Sequence, residues 1–276
     1  MKTILLFQYF LAQDPIRRNE IESAITHNIN LGFDEIIIFN DSVKPNFVGP
    51  NITNILTDSR MTFKDFIEVV NDPRNHDSLI TLTNTDIKLD HKILCIDKVI
   101  SKSKVFCISR HELNGQLTEN PHYCQDTWAM ISQPLPKYIL FSSNIPIGTS
   151  GCEQRFAELL FSFNFLISNP CVDIHNIHIH SNHPGTNETD RIYGAYLSIP
   201  PSGLNGDDSK IPSPSLHYWR KQHAPVSVAG ERATRDHIDY QQLRQELELL
   251  QRSWTWRIGR VATAPARLLR RWTRMP

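Results

Sequence analysis

Residues 79–83, Leu-Ile-Thr-Leu-Thr, form an apolar and β-branched run that ends in Asn84-Thr85-Asp86-Ile87. A run of this kind predicts a buried strand over residues 79–87. Polar residues at the tip of a buried strand need a reason. In an open α/β sheet the reason is usually a ligand, because ligands bind beyond the carboxyl ends of the strands. A carboxylate there can hold a divalent cation, and the cation can hold a diphosphate. The plainer alternative is an aspartate that only caps the turn into Lys88-Leu89-Asp90-His91. Other residues with chemical potential lie further along. Asp41 follows an apolar run at 35–39, Arg110 follows one at 104–109, and Asp126 enters one at 123–131. Glu153 stands in the first turn of a helix opened by Ser150-Gly151-Cys152, where the helix dipole favours an ionised carboxylate. Simple helix capping is its alternative. His178 and His180 alternate with Ile177 and Ile179, so they share one face of a strand, where two imidazoles suit a metal. Histidines facing solvent from an edge strand are the competing explanation.

The elements that must position these residues alternate. Residues 3–9 read as a first strand, and Asp14-Pro15 as an N-cap with proline at the first helical position. The helix carries Ile16, Ile21, Ala24, Ile25 and Ile29 on an apolar face and stops near Gly32. Strands at 35–39 and 52–56 follow, then a helix at 61–70 with Phe63, Phe66, Ile67 and Val70 at helical spacing. Fully apolar strands between helices argue for a mostly parallel sheet covered on both faces.

Composition is that of an ordinary globular chain: 276 residues, 40% apolar and 21% charged, with no formal net charge. No global field therefore points to a polyanionic partner. The five cysteines lack zinc-site or redox spacing, which favours buried free thiols in a reducing compartment. The apolar N-terminus superficially resembles a signal peptide, but Gln8 interrupts it and no small-residue cleavage pair follows, so a first strand is the better reading. No run is long enough to span a membrane.

The chain divides into a domain at 1–197, a Pro/Gly/Ser-rich linker at 198–236, and an amphipathic helix with a basic Arg/Trp tail at 237–276. Tyr240, Leu243, Leu247, Leu250 and Trp254 make a short apolar seam, suited to self-association through 238–254 or to docking on the domain. From Arg252 to the end there is no acidic residue, and arginines interleave with tryptophan and leucine. That mixture suits contact with an anionic inner-membrane surface through 252–276, and no nucleic-acid motif accompanies it.

Taken in order, these motifs resemble bacterial glycosyltransferases of the GT-A, nucleotide-diphospho-sugar transferase type. The residues that carry the resemblance are Asn84-Thr85-Asp86, Gln125-Asp126-Thr127-Trp128, Gly151-Cys152-Glu153-Gln154-Arg155, Ser168-Asn169-Pro170 and His178-Ile179-His180-Ser181 before Arg191. It implies a Rossmann-like GT-A α/β fold with a mostly parallel central sheet, plus a C-terminal helical tail. It implies transfer of a sugar from a nucleotide-diphospho-sugar donor to a glycan or lipid-linked acceptor, in polysaccharide assembly on the cytoplasmic side of the inner membrane. Gln8, Asp41, Asn84, Asp86 and Arg110 would contact the donor. Mn²⁺ or Mg²⁺ would sit on Asp86 with His180 and His178. Glu153 would be the catalytic base, with Asp126 second. The family's metal motif is Asp-x-Asp, and here its first position is the uncharged Asn84. Two rivals remain: a sugar-nucleotide-binding scaffold without turnover, which Asn84 favours, and a zinc hydrolase using His178, His180 and His183.

Overall fold

The computed structural model describes residues 1–41, 47–180, 191–192, 194–205 and 214–215. At its centre lies β1 (Thr3–Tyr9), buried at every position but Gln8. Its side chains alternate between two faces. Ile4 and Leu6 join one apolar cluster; Leu5, Phe7 and Tyr9 join another. A strand covered on both sides has no polar alternation to show, which is why β1 reads as a continuous apolar run. Each fully buried aliphatic side chain of this kind contributes about 1.5–3 kcal/mol.

The sheet has seven strands in the order β3-β2-β1-β4-β7-β6-β8. These are β2 (Glu35–Asn40), β3 (Ile52–Leu56), β4 (Leu79–Thr83), β6 (Lys104–Ser109), β7 (Gln125–Ile131) and β8 (Leu166–Ser168) around β1. All neighbours run parallel except β7, which is antiparallel to both β4 and β6. This is a mixed α/β, Rossmann-like architecture with a mostly parallel sheet. One face packs α2 (Phe63–Asn71), α3 (Lys137–Ser142) and α4 (Cys152–Ser162), through Phe63, Phe66, Ile139, Phe156 and Leu160. The other packs α1 (Pro15–Ile29) and a 3₁₀ helix at His91–Lys98, through Ile21, Ile25, Ile93 and Ile96.

α1 starts where Asp14 accepts the Ile16 backbone N–H at 3.0 Å, with Pro15 at the first position. Its buried face is Ile21, Ala24, Ile25 and Asn28, while Ile16 is 67% exposed and lies off that face. Asn28 is the unexpected member. Its amide donates to the Ile87 carbonyl at 2.8 Å and its oxygen accepts the Leu89 N–H at 2.9 Å.

That contact fixes β5 (Ile87–Lys88), where the structure departs from the expected strand at 79–87. β4 stops at Thr83; Asn84-Thr85-Asp86 is a turn, and β5 leaves the main sheet to pair antiparallel with β9 (Ile177–His178). A two-residue pairing cannot hold alone. Asn28 on one side and the His178 N–H on the His111 carbonyl at 2.8 Å anchor it.

The packed body continues past residue 197: Ile199 is buried, and the Leu204 N–H donates to Asp173 at 2.7 Å. Within the stretch expected to be irregular, β11 (Pro214–Ser215) pairs antiparallel with β10 (Tyr196–Leu197). The amphipathic helix, the Arg/Trp tail and His183 lie outside the described residues. Among the described residues no helix is long and apolar enough to cross a membrane. The cysteines are all free thiols; Cys107, Cys152 and Cys171 are buried, Cys124 is half-buried and Cys95 is exposed.

Candidate active site

The one strand that runs antiparallel within the seven-stranded sheet, β7, organises the site. Because β7 runs against β4, its first residues lie beside the last residues of β4, with Thr83 opposite Thr127. The Asn84 N–H therefore donates to the Asp126 carbonyl at 3.0 Å, and the Asn84 amide to the Asp126 carboxylate at 2.7 Å. β6 ends on the other side of β7, with an irregularity at Ile108/Ser109, and this delivers Arg110 to the same carboxylate at 3.3 Å. Three strand ends thus converge on Asp126.

The β5–β9 pairing sets Ile87 opposite His178, and the Ile179 N–H donates to the Asp86 carbonyl at 3.0 Å. His178 Nε2 lies 3.3 Å from Asp86 Oδ2. The same oxygen accepts from Arg17 Nη2 at 2.6 Å. Arg17 stands in the first turn of α1, and its Nη1 faces Glu20 at 3.4 Å. Glu20 in turn meets His180 Nδ1 at 2.9 Å. The expected strand through His180 stops at His178, so His180 follows β9 and does not share a strand face with His178; their ring centroids lie 5.8 Å apart, His178 buried and His180 half-buried.

Electrostatics divide these carboxyls. Burial alone would push the Asp86 carboxyl up, yet His178 and Arg17 outweigh it and hold the group well below the usual range. For Asp126 burial wins over Arg110, the Asp86 charge adds to it, and the carboxyl is pushed up. Glu153 is raised to about 7, by burial first and then by the Asp126 charge. This corrects the expectation of a dipole-stabilised, ionised Glu153. A helix terminus carries only about half a charge, too little to offset desolvation beside another acid. The start of α4 is itself tightly set. Gly151 has φ 85°, and a Cβ there would lie 2.6 Å from the Tyr196 hydroxyl and 3.0 Å from the Ile192 carbonyl. Glycine is required for both reasons.

Beside these groups opens a cleft of about 360 Å³ lined by Gln8, Phe10, Arg60, Thr83, Asn84, Thr85, Asp86, Ile147 and Gly148, among others. Gln8 is braced from two sides. Its amide donates to the Ser59 carbonyl at 3.0 Å and its oxygen accepts the Met61 N–H at 2.7 Å.

Of the residues expected from sequence, Asn84, Asp86, Arg110, Asp126, Glu153 and His178 are near enough for hydrogen bonds or charges to couple them. Gln8 lines the adjoining cleft. Asp41 is exposed just past β2 and does not line it. His180 turns to Glu20 rather than to Asp86, so the expected metal set of Asp86, His178 and His180 is not assembled. Among the described residues no three His, Cys, Asp or Glu side chains are disposed around a common metal position. The arrangement does not fit Mn²⁺ or Mg²⁺: the one carboxylate of the motif already carries a guanidinium, and its partner position, Asn84, brings no charge. Trp128 is a core residue, with its indole N–H on the Gln125 carbonyl at 3.0 Å and edge contacts to Phe63 and Phe156.

Sequence reasoning missed Arg17, Glu20, Arg60 and Glu112; the last faces Arg110 at 3.4 Å and His178 at 3.6 Å. A signal for Arg17 was present. The first turn of a helix after a parallel strand lies at the carboxyl edge of the sheet, where ligands bind.

No family model matches the chain, and no curated protein matches it. Among solved structures the chain is similar to the crystal structure of S. aureus TarS 1-349, at 14% identity over 69% of this chain and 62% of that one, with a TM-score of 0.36.

Proposed function

We propose that the chain is a glycosyltransferase of the GT-A type, which moves a sugar from a nucleotide-diphospho-sugar to a glycan or lipid-linked acceptor. The observation that carries this reading is the convergence of Asn84, Asp86, Arg110, Asp126 and Glu153 at the carboxyl edge of a mostly parallel sheet, beside an open cleft. Within this group Asp86 is held ionised while Asp126 and Glu153 are pushed towards the protonated form, and carboxyls set apart in this way by their surroundings suit acid–base chemistry.

In the proposed reaction the acceptor hydroxyl attacks the anomeric carbon. The carbon–oxygen bond to the diphosphate breaks, and the diphosphate leaves with the electron pair. An inverting displacement needs one carboxylate to take the acceptor proton. Glu153 suits that role, since a group poised near 7 is ionised often enough to accept a proton and basic enough to hold it. Asp126, bound by Asn84 and Arg110, would position the pair and keep Glu153 raised. Gln8 and Asn84 would contact the donor from the cleft wall. Assembly of surface polysaccharide at the inner membrane, and anchoring by the basic tail, belong to the same proposal.

Titration of the purified chain with UDP-, GDP- and dTDP-sugars, with and without Mn²⁺, tests it. Saturable binding of one donor class, with release of nucleoside diphosphate when an acceptor is added, is the expected result. Binding without turnover would instead favour the scaffold, for which the uncharged Asn84 speaks. Hydrolysis of esters or phosphodiesters with bound zinc would favour the hydrolase.

A further inference from the structure

The carboxylate of the strand tip already has its cation. We infer that Arg17 is the resident counter-ion of Asp86 and excludes a divalent metal from it, and that Arg60 is the cation a diphosphate in the adjoining cleft would meet. The second half rests on the transferase reading; the first does not.

Arg17 reaches Asp86 at 2.6 Å from the capped first turn of α1, and both side chains are largely shielded from water. Its other terminal nitrogen faces Glu20, so the guanidinium is held at two points. A guanidinium cannot lose its proton to make way for a metal. A dication placed on Asp86 would bring two positive charges against it with a single carboxylate between them. Asn84 cannot supply the missing charge, and its amide is committed to Asp126. Glu20 carries one negative charge, shared between Arg17 and His180.

Arg60 lines the cleft together with Asn84 and Asp86. It is exposed, and Nη2 donates to the Gly148 carbonyl at 3.3 Å. Gly148 sits at φ +70°, and a Cβ there would lie 3.2 Å from that same nitrogen. The left-handed backbone is what favours glycine at this point, and the guanidinium packs against it. A planar fork of donors at a cleft wall recognises phosphate oxygens in pairs.

Two measurements on the full chain test this. In the first, Mn²⁺ alone is titrated and followed by the electron paramagnetic resonance of the free ion. Wild type should bind none at Asp86, Arg17→Gln should gain a Mn²⁺ site, and Arg17→Lys, which keeps the charge, should not. A stoichiometric site in wild type overturns the exclusion, and absence of a site in a folded Arg17→Gln overturns the role given to Arg17. If Arg17→Gln does not fold, a site in Arg17→Lys overturns the same role. In the second, inorganic diphosphate is titrated by calorimetry with EDTA and with Mn²⁺. Equal affinity in both is expected, with a loss of about ten- to a hundredfold in Arg60→Gln. Diphosphate binding that needs Mn²⁺, or is untouched in Arg60→Gln, overturns the assignment. Metal-free diphosphate binding without turnover of any nucleotide sugar leaves this inference standing and removes the transferase. Turnover only with Mn²⁺ does the reverse.

Discussion

Asp86 and Glu153 are both shielded acids at one edge of one sheet, and the protein treats them oppositely. Asp86 has Arg17 at 2.6 Å and His178 at 3.3 Å, and its carboxyl is held down. Glu153 faces another acid, Asp126, whose nearest cation, Arg110, is 3.3 Å from Asp126 itself, and Glu153 is raised to about 7. Burial opposes ionisation in both. What decides the outcome is how many cations each carboxyl has for itself. One half of the site is a fixed charge, and the other a group that can exchange a proton near neutrality.

The harshest way to break this contrast is Asp86→Ala, which leaves Arg17 and His178 without their carboxylate. Turnover of the donor sugar should fall by about a hundred- to a thousandfold or more, while diphosphate affinity, assigned to Arg60 and not to a metal on Asp86, should not fall. Turnover at the wild-type rate would remove Asp86 from the mechanism. Glu153→Gln should lower kcat by about 10²–10⁴ while donor binding stays intact in calorimetry.

The pH profile sharpens the same point. A base must be ionised to act, and the ionised share of Glu153 grows as pH rises through about 7, so kcat/KM should climb across that window. Were Glu153 an acid, the limb would fall instead. Asp126→Asn removes the neighbouring negative charge and should move the limb to lower pH. A limb that stays in place means Glu153 is not the titrating group. Mildest is Asn169→Ala, away from the charges. Asn169 is fully buried, with its amide on the Ser109 hydroxyl at 2.8 Å and its oxygen accepting the Ser109 N–H at 3.0 Å. A loss of about 1–3 kcal/mol, read by denaturant unfolding, is expected with little change in the pH limb.

The sheet was legible because its strands are buried on both faces, and a doubly buried strand advertises itself as an apolar run. The residues 52–56 and 104–109 form strands with the expected limits. Strand ends were less visible. Nothing in residues 79–87 says that the chain leaves the sheet at Thr83, because the partner that draws it away, Ile177–His178, is distant in sequence. The candidate site was legible as residue types at strand tips, and the structure brings Asp86, Arg110 and Asp126 together there. Their partners were not, since an ion pair such as Arg17–Asp86 is set by tertiary geometry and has no local pattern. The buried asparagines Asn28, Asn169 and Asn176 escaped for a related reason. Each braces segments distant in sequence, Asn176 by donating to the Thr127 hydroxyl at 3.0 Å and accepting the Asp90 N–H at 2.9 Å, and an asparagine in a loop or helix looks the same whether it binds water or protein.

The two-rung pairing of β5 with β9 also has a consequence in time. It joins Asp86 to His178, 92 residues downstream. The strands β1 to β7 can pair before that segment arrives, since their contacts close shorter loops. The fixed-charge half of the site is thus completed last, by a late part of the chain. A refolding molecule should regain its sheet signal before the Asp86 carboxylate meets His178, and a nascent chain that has made the sheet but not residue 178 has the fold without the completed charge cluster.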